Sequence, residues 1–344
     1  MELGRLVHAN SSREQLRFVD YFDFFDCSLS LSSQYQDNSF VLAMPIDEWK
    51  ANPIAFGEWV FIPGTEYGGR VQRIRNVAGE KVEVEGYGVR GWMSKWIIQP
   101  DLIPDQWQPE GKDYLNINSE DANNAIYMLA MGRLGFDHFN VSDSVSGITV
   151  SGQYRHQDVH YAINHLLATE DARMDIAYDD EAVADIEAVA VTDYSRDYDF
   201  SQDYGAKLTS DLDRASGYNS IVAYGKGDLS LREKTVWYWV SPSTTQTPPF
   251  LDLCDIREYF YDYGSAESLA MLNSEARKQL REVRDKATMS IDLTGIEIEL
   301  NLGDIVGARD YVTGLVFKDS IYSKILRIEN GVTTLNYTMR GDVE

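Results

Sequence analysis

The chain has 344 residues, 44% of them hydrophobic, and its 55 acidic residues against 31 basic ones give a formal net charge of −24. This length allows two to four domains, each with its own core. A surface of this sign repels phosphate backbones and anionic lipid. The charge therefore argues against specific nucleic-acid binding and against stable membrane association, although simple solubility is another reason for acidity.

The sequence has no apolar targeting or membrane segment. Met1 leads directly into polar sequence, without the apolar core of a secretion signal. No stretch approaches the roughly 18 apolar residues of a membrane span. We therefore expect a soluble protein made in the cytoplasm, and we expect Cys27 and Cys254, which neighbour apolar residues, to be buried thiols.

Residues 16 to 100 alternate with period two and predict short strands, as in Ser28–Ser32, Phe40–Met44 and Trp59–Ile62. Several strands at this spacing suggest a small barrel or sandwich. The end of this region is marked by Trp92, Trp96 and Trp107, with Pro100, Pro104 and Pro109 among them. We place a boundary near residue 111.

The next region predicts an inserted α+β domain. Ser119 is a candidate N-cap for a helix that carries Ala125, Ile126, Leu129 and Leu134 and ends at Gly135. A strand at 148–151, a helix with Val159, Ile163 and Leu166 on its apolar face, and a strand at 173–178 follow. This α+β unit is expected to extend to about residue 212.

Beyond the insert the pattern returns to strands. Segments 218–227 and 235–240 are predicted to complete the first barrel, and the polar run 241–249 reads as a linker. A long helix over 266–286 carries the apolar stripe Leu269, Leu272, Ala276, Leu280 and Val283. Strands are predicted again over 288–340.

Two stretches about 250 residues apart read as the same unit written twice. Gly57-Glu58 and Gly303-Asp304 each open a strand, Arg73-Ile74 and Arg327-Ile328 lie in a later alternating strand, and a Gly turn and another strand follow. Common turn chemistry offers a second explanation. The first copy spans 29 positions from Gly57 to Gly86 and the second 38 from Gly303 to Gly341. We expect the extra length, around 311–319, to be a loop.

The predicted fold class is α+β, mainly β: two similar small antiparallel barrels with an inserted α+β domain and one long helix. The domains are 1–111 plus 213–245 for the first barrel, 112–212 for the insert, and 246–344 for the second barrel with helix 266–286.

No enzyme signature stands out in the sequence. It contains no G-x-S-x-G elbow, no phosphate-binding G-x-x-x-x-G-K-[ST] and no C-x-x-C pair. His156, His160 and His165 are the nearest approach to a metal site, but Gln157 stands where a zinc protease has its catalytic Glu. We predict no catalytic residue, no cofactor and no metal, and we expect the histidines to be solvated or hydrogen-bonded.

The acidic and aromatic runs leave alternatives open. Asp193, Asp197, Asp199 and Asp203 offer oxygen ligands for calcium, but their spacing matches no EF-hand, and a solvated acidic loop is the favoured interpretation. The clustered tryptophans could stack on sugars in a glycan-binding module, and paired carboxylates could cleave polysaccharide. Tyr259–Tyr263 is either an assembly surface or a buried strand.

In chain order these features resemble the tail hub proteins of long-tailed phages, also called tail-associated or baseplate hub proteins. The resemblance is carried by Gly57-Glu58, by the segment Asn219–Gly227, and by the long helix followed by Leu302–Val306. The chain departs from hubs that act as lysins, which carry a further C-terminal enzyme or fibre domain.

The resemblance implies a structural virion protein and no enzyme. Three chains with two barrels each would form a pseudo-six-fold ring at the tail tip or baseplate. The implied partners are a hexameric distal tail protein, the tape-measure protein and tip or receptor-binding proteins. The ring would support host attachment and DNA ejection, with DNA passing through its channel.

Overall fold

The structure is a computed structural model that describes residues 4–100, 113–130, 138–205, 207–213, 217–228, 231–240, 243–249, 252–264, 266, 268–292, 298 and 300–341. Among these residues no helix is long and apolar enough to cross a membrane. The predicted features at Pro104, Trp107, Leu134 and Gly135 lie outside the described residues.

The chain forms twenty-two strands and five α-helices within the described ranges. The strands are β1 Val7–Ala9, β2 Gln15–Phe18, β3 Phe24–Ser30, β4 Ser39–Pro45, β5 Trp59–Phe61, β6 Gly68–Val77, β7 Lys81–Tyr87, β8 Leu115–Asp121, β9 Phe139–Val141, β10 Thr149–Tyr154, β11 Ala172–Tyr178, β12 Ala184–Ala190, β13 Asp199–Ser201, β14 Lys207–Asp213, β15 Ser220–Tyr224, β16 Lys234–Val240, β17 Ser243–Thr245, β18 Glu258–Asp262, β19 Lys286–Asp292, β20 Ile305–Arg309, β21 Val316–Glu329 and β22 Val332–Gly341. The helices are α1 Ile46–Ala51, α2 Val89–Met93, α3 Ala122–Ala130, α4 Val159–Ala168 and α5 Leu269–Val283.

The largest sheet contains the same five-strand unit twice. The first unit runs β3-β4-β7-β6-β5 across the sheet, and the second runs β14-β19-β22-β21-β20. Within each unit the second strand pairs with the fifth, the fifth with the fourth and the fourth with the third, all antiparallel. The repeat that the two Gly-acid pairs indicate is therefore present at the level of topology.

The two units are joined inside the chain by one strand pair. β21 of the second unit pairs antiparallel with β3 of the first. The result is one thirteen-stranded sheet, extended by β1 and β2 on one side and by β13 beside β20. Among the described residues no strand pair closes either unit into a barrel, so the fold is mainly β with two repeated sheet units.

The strands over 220–240 do not belong to the first unit, and that expectation is wrong. β15 and β16 form their own four-stranded sheet with β17 and with β18. The sheet packs on α5, where Leu272, Ala276 and Leu280 are fully buried at helical spacing. This third module interrupts the second unit between its first strand, β14, and its second, β19.

The α+β insert follows the first unit and contains β8, α3, β9, β10, α4, β11 and β12. β8 runs up to Asp121, whose side chain accepts a hydrogen bond from Asn123 N, so α3 begins at Ala122 and Ser119 is not its N-cap. Asp158 caps α4 by accepting from Tyr161 N at 2.7 Å. Beyond residue 191 the chain enters the second unit, earlier than the expected 212, because Asp193 forms a β-bridge with Ile305 and β13 pairs with β20.

Two large cores position these parts. One lies within the repeated sheet and combines residues of both units, such as Phe25 and Leu42 with Met289 and Leu326. The other joins the insert to the first unit, where Trp59 and Phe61 pack with the helices α3 and α4. The insert and the first unit thus share one buried apolar surface.

The longer second copy gains its residues in strands and not in a loop. β20 has five residues where β5 has three, and β21 has fourteen where β6 has ten. The connections 62–67 and 310–315 have the same length. The expectation of a loop over 311–319 is therefore wrong, because 316–319 belong to β21.

Candidate assembly site

The Gly-acid pairs close the same turn in both units. Glu58 N donates to Ala55 O at 3.3 Å and Asp304 N donates to Asn301 O at 3.1 Å. The glycine before each acid is left-handed, with φ of +81° at Gly57 and +92° at Gly303. A turn of this kind needs a positive φ at its third position, which glycine adopts without steric cost.

Each acid side chain folds back on its own turn. Glu58 Oε2 accepts from Ala55 N at 2.7 Å, and Asp304 Oδ2 accepts from Asn301 N at 2.9 Å. The carboxylate satisfies the N–H three residues earlier, so an acid follows the glycine in both copies for a structural reason.

The two turns dock in the same way on the fourth strand of their unit. Gly57 N donates to Val71 O, and Val71 N donates to Glu58 O, at 3.0 and 2.8 Å. Gly303 N donates to Ile321 O, and Ile321 N donates to Asp304 O, at 2.9 and 2.8 Å. Val71 and Ile321 are therefore equivalent positions.

Two further features repeat after that position. The pairing with the fifth strand shifts register between Val71 and Arg73 in the first unit and between Ile321 and Ser323 in the second. The following hairpin turns have left-handed residue pairs, Ala78-Gly79 with φ of 54° and 73° and Asn330-Gly331 with 52° and 74°. A bulge and a primed turn both fix strand register.

The acids differ in their surroundings. Glu58 Oε2 lies 2.8 Å from His8 Nε2 of β1, and burial lowers the pKa of His8 more than Glu58 raises it. Asp304 is fully buried and accepts from Arg173 Nε at 3.0 Å and from Thr192 N at 3.1 Å. Because Arg173 belongs to β11, this acid ties the insert to the second unit.

The joint between the units carries an ion pair that the sequence analysis missed. Arg327 of β21 lies opposite Asp26 of β3 in the strand pairing, and Arg327 Nη1 donates to Asp26 Oδ2 at 3.0 Å. The expected match of Arg73-Ile74 with Arg327-Ile328 is not a structural equivalence, because the bulges align Arg73 with Ser323. The partner of Arg327, 301 residues away, could not be read from the sequence.

The fourth strand of the first unit carries two exposed arginines. Arg73 pairs with Glu85 at 3.0 Å and Arg75 pairs with Glu83, both across the β6-β7 hairpin. Their side chains keep 61% and 51% of their surface exposed. Because about half or more of each guanidinium-bearing side chain remains in solvent, both arginines can contact a second acidic partner in addition to Glu85 and Glu83.

The three candidate histidines lie in different environments. His160 is fully buried in α4, where desolvation lowers its pKa to about 3 and Asn164 Nδ2 lies 2.9 Å from its Nε2. His165 stacks on Tyr161, and His156 is exposed. Across the described residues no group of three His, Cys, Asp or Glu side chains is arranged to hold a metal.

The acidic run 193–205 is a solvated segment only in part, because Asp197 and Asp203 are exposed but the residues between them enter the sheet. β13 pairs in parallel with β20, and Phe200 is fully buried in the core of the repeated sheet. Tyr198 stacks on Phe200 with centroids 5.9 Å apart. Asp193 accepts hydrogen bonds from the Ser195 hydroxyl and from Ser195 N, and both lower the pKa of Asp193.

The tryptophans form two separate groups. Trp92 stacks on Trp59 and packs with Trp96 against the core of the insert. Trp237 and Trp239 lie on the four-stranded sheet, with Arg277 and Arg284 over their rings. Intramolecular partners thus occupy faces that a sugar would need.

The remaining sequence candidates split between surface and interior. In β18, Tyr259 and Tyr261 pack on the core of the third module, whereas Phe260 is 62% exposed. Cys27 is buried, which raises its thiol pKa to about 12, but Cys254 is exposed, against expectation.

The sequence matches no protein-family model, and no curated protein matches it. Solved structures do match, over almost the whole chain. The tail protein from Neisseria meningitidis MC58 aligns with 98% of this chain and 96% of its own, at 13% identity and a TM-score of 0.54. The 43 kDa tail protein of prophage MuSo2 from Shewanella oneidensis aligns with 99% of this chain and 98% of its own, at 11% identity and a TM-score of 0.59.

These similarities confirm the resemblance to phage tail proteins at the level of the fold. At such low identity the agreement lies in topology and not in side chains, so it shows the architecture of a tail protein.

Proposed function

We propose that this protein is a structural virion component that forms a homotrimeric, pseudo-six-fold hub at the distal tip of a phage tail. It joins a six-fold tail tube and a hexameric distal tail protein to a three-fold tip and lines the DNA exit channel. The tape-measure protein and tip or receptor-binding proteins are its further partners.

The observation that carries this proposal is the repeated five-strand unit. Three subunits with two equivalent units each offer six similar surfaces, which is what a three-fold ring needs in order to meet a six-fold partner. The two units match in turn, docking strand, bulge and hairpin.

Fold and charge support the same role. The two similar solved structures are a tail protein and a prophage tail protein, and both align over nearly their full length. The net charge of −24 suits a channel through which DNA slides, because an acidic wall does not release counterions from the phosphate backbone.

The proposed role involves no catalysis. The main alternatives are a cell-wall or polysaccharide hydrolase that acts at host entry and a glycan-binding tail module. No specific observation favours the hydrolase, since the candidate histidines lie in different environments. None favours the glycan-binding module, since the tryptophan faces pack against the protein itself.

The hub is tested by mass and by shape. Light scattering on the purified chain should give three times the 39.1 kDa of one chain, and averaged electron-microscope images should show a three-fold ring with six similar lobes. A monomer at every concentration, with no binding to tail proteins, would refute the hub.

Zymography on host cell walls addresses the hydrolase. The proposal expects no clearing band. A band that a single carboxylate substitution abolishes would replace the hub with an enzyme.

A further inference from the structure

The repeated units leave one strand edge paired and its counterpart open. The fourth strand of the second unit, β21, pairs through Ser323–Glu329 with β3, the first strand of the first unit. The equivalent strands are β6 and β14. In the described part of the chain, the free side of β6 over 73–77 and the outer edge of β14 have no strand partner.

The equivalence also fixes a register. The bulges align Ile321 with Val71 and Ser323 with Arg73. In the second unit Ile321 pairs with Met339, Met339 with Met289, and Met289 with Ser210. In the first unit Val71 pairs with Gly86, Gly86 with Phe40, and Phe40 with Cys27. Ser210 is therefore the counterpart of Cys27, and Asp211 and Asp213 are the counterparts of Ser28 and Ser30.

This register places unlike charges opposite each other. In the chain, Ser323 faces Ser30 and Ile325 faces Ser28. Transferred to the open edges, Arg73 faces Asp213 and Arg75 faces Asp211. Cross-strand pairs of opposite charge stabilise an antiparallel sheet, and like charges in the same place oppose it.

We propose that β6 of one subunit adds to β14 of a second copy of this chain as an antiparallel pair, with Arg73 opposite Asp213 and Arg75 opposite Asp211. This inference rests on the proposed trimer and supplies its contact. Each chain carries one β6 edge and one β14 edge, so the contact is head-to-tail and a closed ring contains as many such seams as subunits. Three seams alternate with three internal β21-β3 pairs.

The seam divides its work between backbone and side chains. Main-chain hydrogen bonds between added strands supply affinity. The arginine–aspartate pairs select the register and reject slipped pairings. Within the subunit, β14 is fixed to the segment after β20, because Ser210 Oγ donates to Asp310 Oδ2 at 2.5 Å.

Charge reversal tests the seam. Arg73→Glu/Arg75→Glu and Asp211→Arg/Asp213→Arg should each shift the mass from three chains to one. The combined fourfold variant, which swaps the charges across the seam, should return it to three. Arg5→Glu/Lys50→Glu is the matched control, because it makes the same charge change as Arg73→Glu/Arg75→Glu at two exposed positions outside β6 and β14 and should remain trimeric.

Cysteine cross-linking tests the register independently of charge. In a Cys254→Ser background, Arg73→Cys/Asp213→Cys should give disulfide-linked dimers and trimers under mild oxidation, because directly opposed residues have Cβ atoms about 4.5–5.5 Å apart. Arg75→Cys/Asp213→Cys, shifted by two residues, should cross-link far less.

The outcomes separate the two proposals. A trimeric wild type with trimeric charge variants and no cross-link would overturn the seam and leave the hub standing. A wild type that is monomeric at every concentration would overturn both.

Discussion

The two repeated units share their backbone geometry but differ in how their acids are buried. Glu58 keeps some exposure and pairs with a histidine, whereas Asp304 is fully buried and pairs with an arginine from the insert. The same turn therefore serves two purposes. In the first unit it holds a neighbouring strand, and in the second it joins two modules.

The largest expected effect separates these two acids. Asp304→Ala leaves the buried Arg173 with only the half-exposed Asp175 as its carboxylate partner and removes the acceptor of Thr192 N and Asn301 N. It should lower the free energy of unfolding by about 3–5 kcal/mol. Glu58→Ala, the matched control, should cost about 1 kcal/mol, because its partners are partly solvated or neutral. Urea denaturation of both variants measures the difference, and equal losses would contradict the distinction.

Buried histidine should make stability fall in acid. The folded-state pKa of His160 is about 3, below its unfolded value near 6.5. Only the unfolded state then takes up this proton between those values. Stability is complete above about pH 6.5 and should fall as pH drops, by up to about 1.4 kcal/mol per pH unit for this group.

The measurement is denaturant unfolding at a series of pH values from 7 to 5. His160→Gln should flatten the slope whatever its effect on stability at pH 7. Burial also lowers the pKa of His8, so a smaller dependence of stability on pH should remain in His160→Gln. An unchanged slope in His160→Gln would contradict the assignment.

The smallest expected effect compares the hairpin turns. Ala78 holds a left-handed conformation in the position that Asn330 occupies in the second unit. Asparagine tolerates this conformation better than alanine. Ala78→Asn should therefore raise the free energy of unfolding by about 0.5–1 kcal/mol, and Asn330→Ala should lower it by a similar amount. A loss of stability in Ala78→Asn, or a gain in Asn330→Ala, measured by calorimetry, would contradict the equivalence of the turns.

Local signals were read correctly from the sequence where they depend on neighbouring residues. The apolar stripe of α5 predicted a helix that the structure has over Leu269–Val283. The Gly-acid pairs predicted a repeat because a left-handed glycine and a capping carboxylate act within four residues. Strand alternation likewise placed β3, β4 and β11.

Strand partners could not be read in this way. β15 and β16 alternate like any half-buried strand, and nothing local distinguishes a place in the first unit from a separate sheet. Tyr198 and Phe200 lie within an acidic run that the sequence alone indicates to be a solvated loop, and only the pairing of β13 with β20 shows that this part of the run joins the sheet. The partner of Arg327 is equally distant in the chain.

The sequence by itself determined the strongly acidic, mainly β character of this protein and the repeat of its turns, because composition and short-range hydrogen bonding do not depend on distant residues. Only the tertiary structure decided which edges are joined. β21 meets β3 across almost 300 residues, and that pairing is what makes β6 and β14 recognisable as open counterparts.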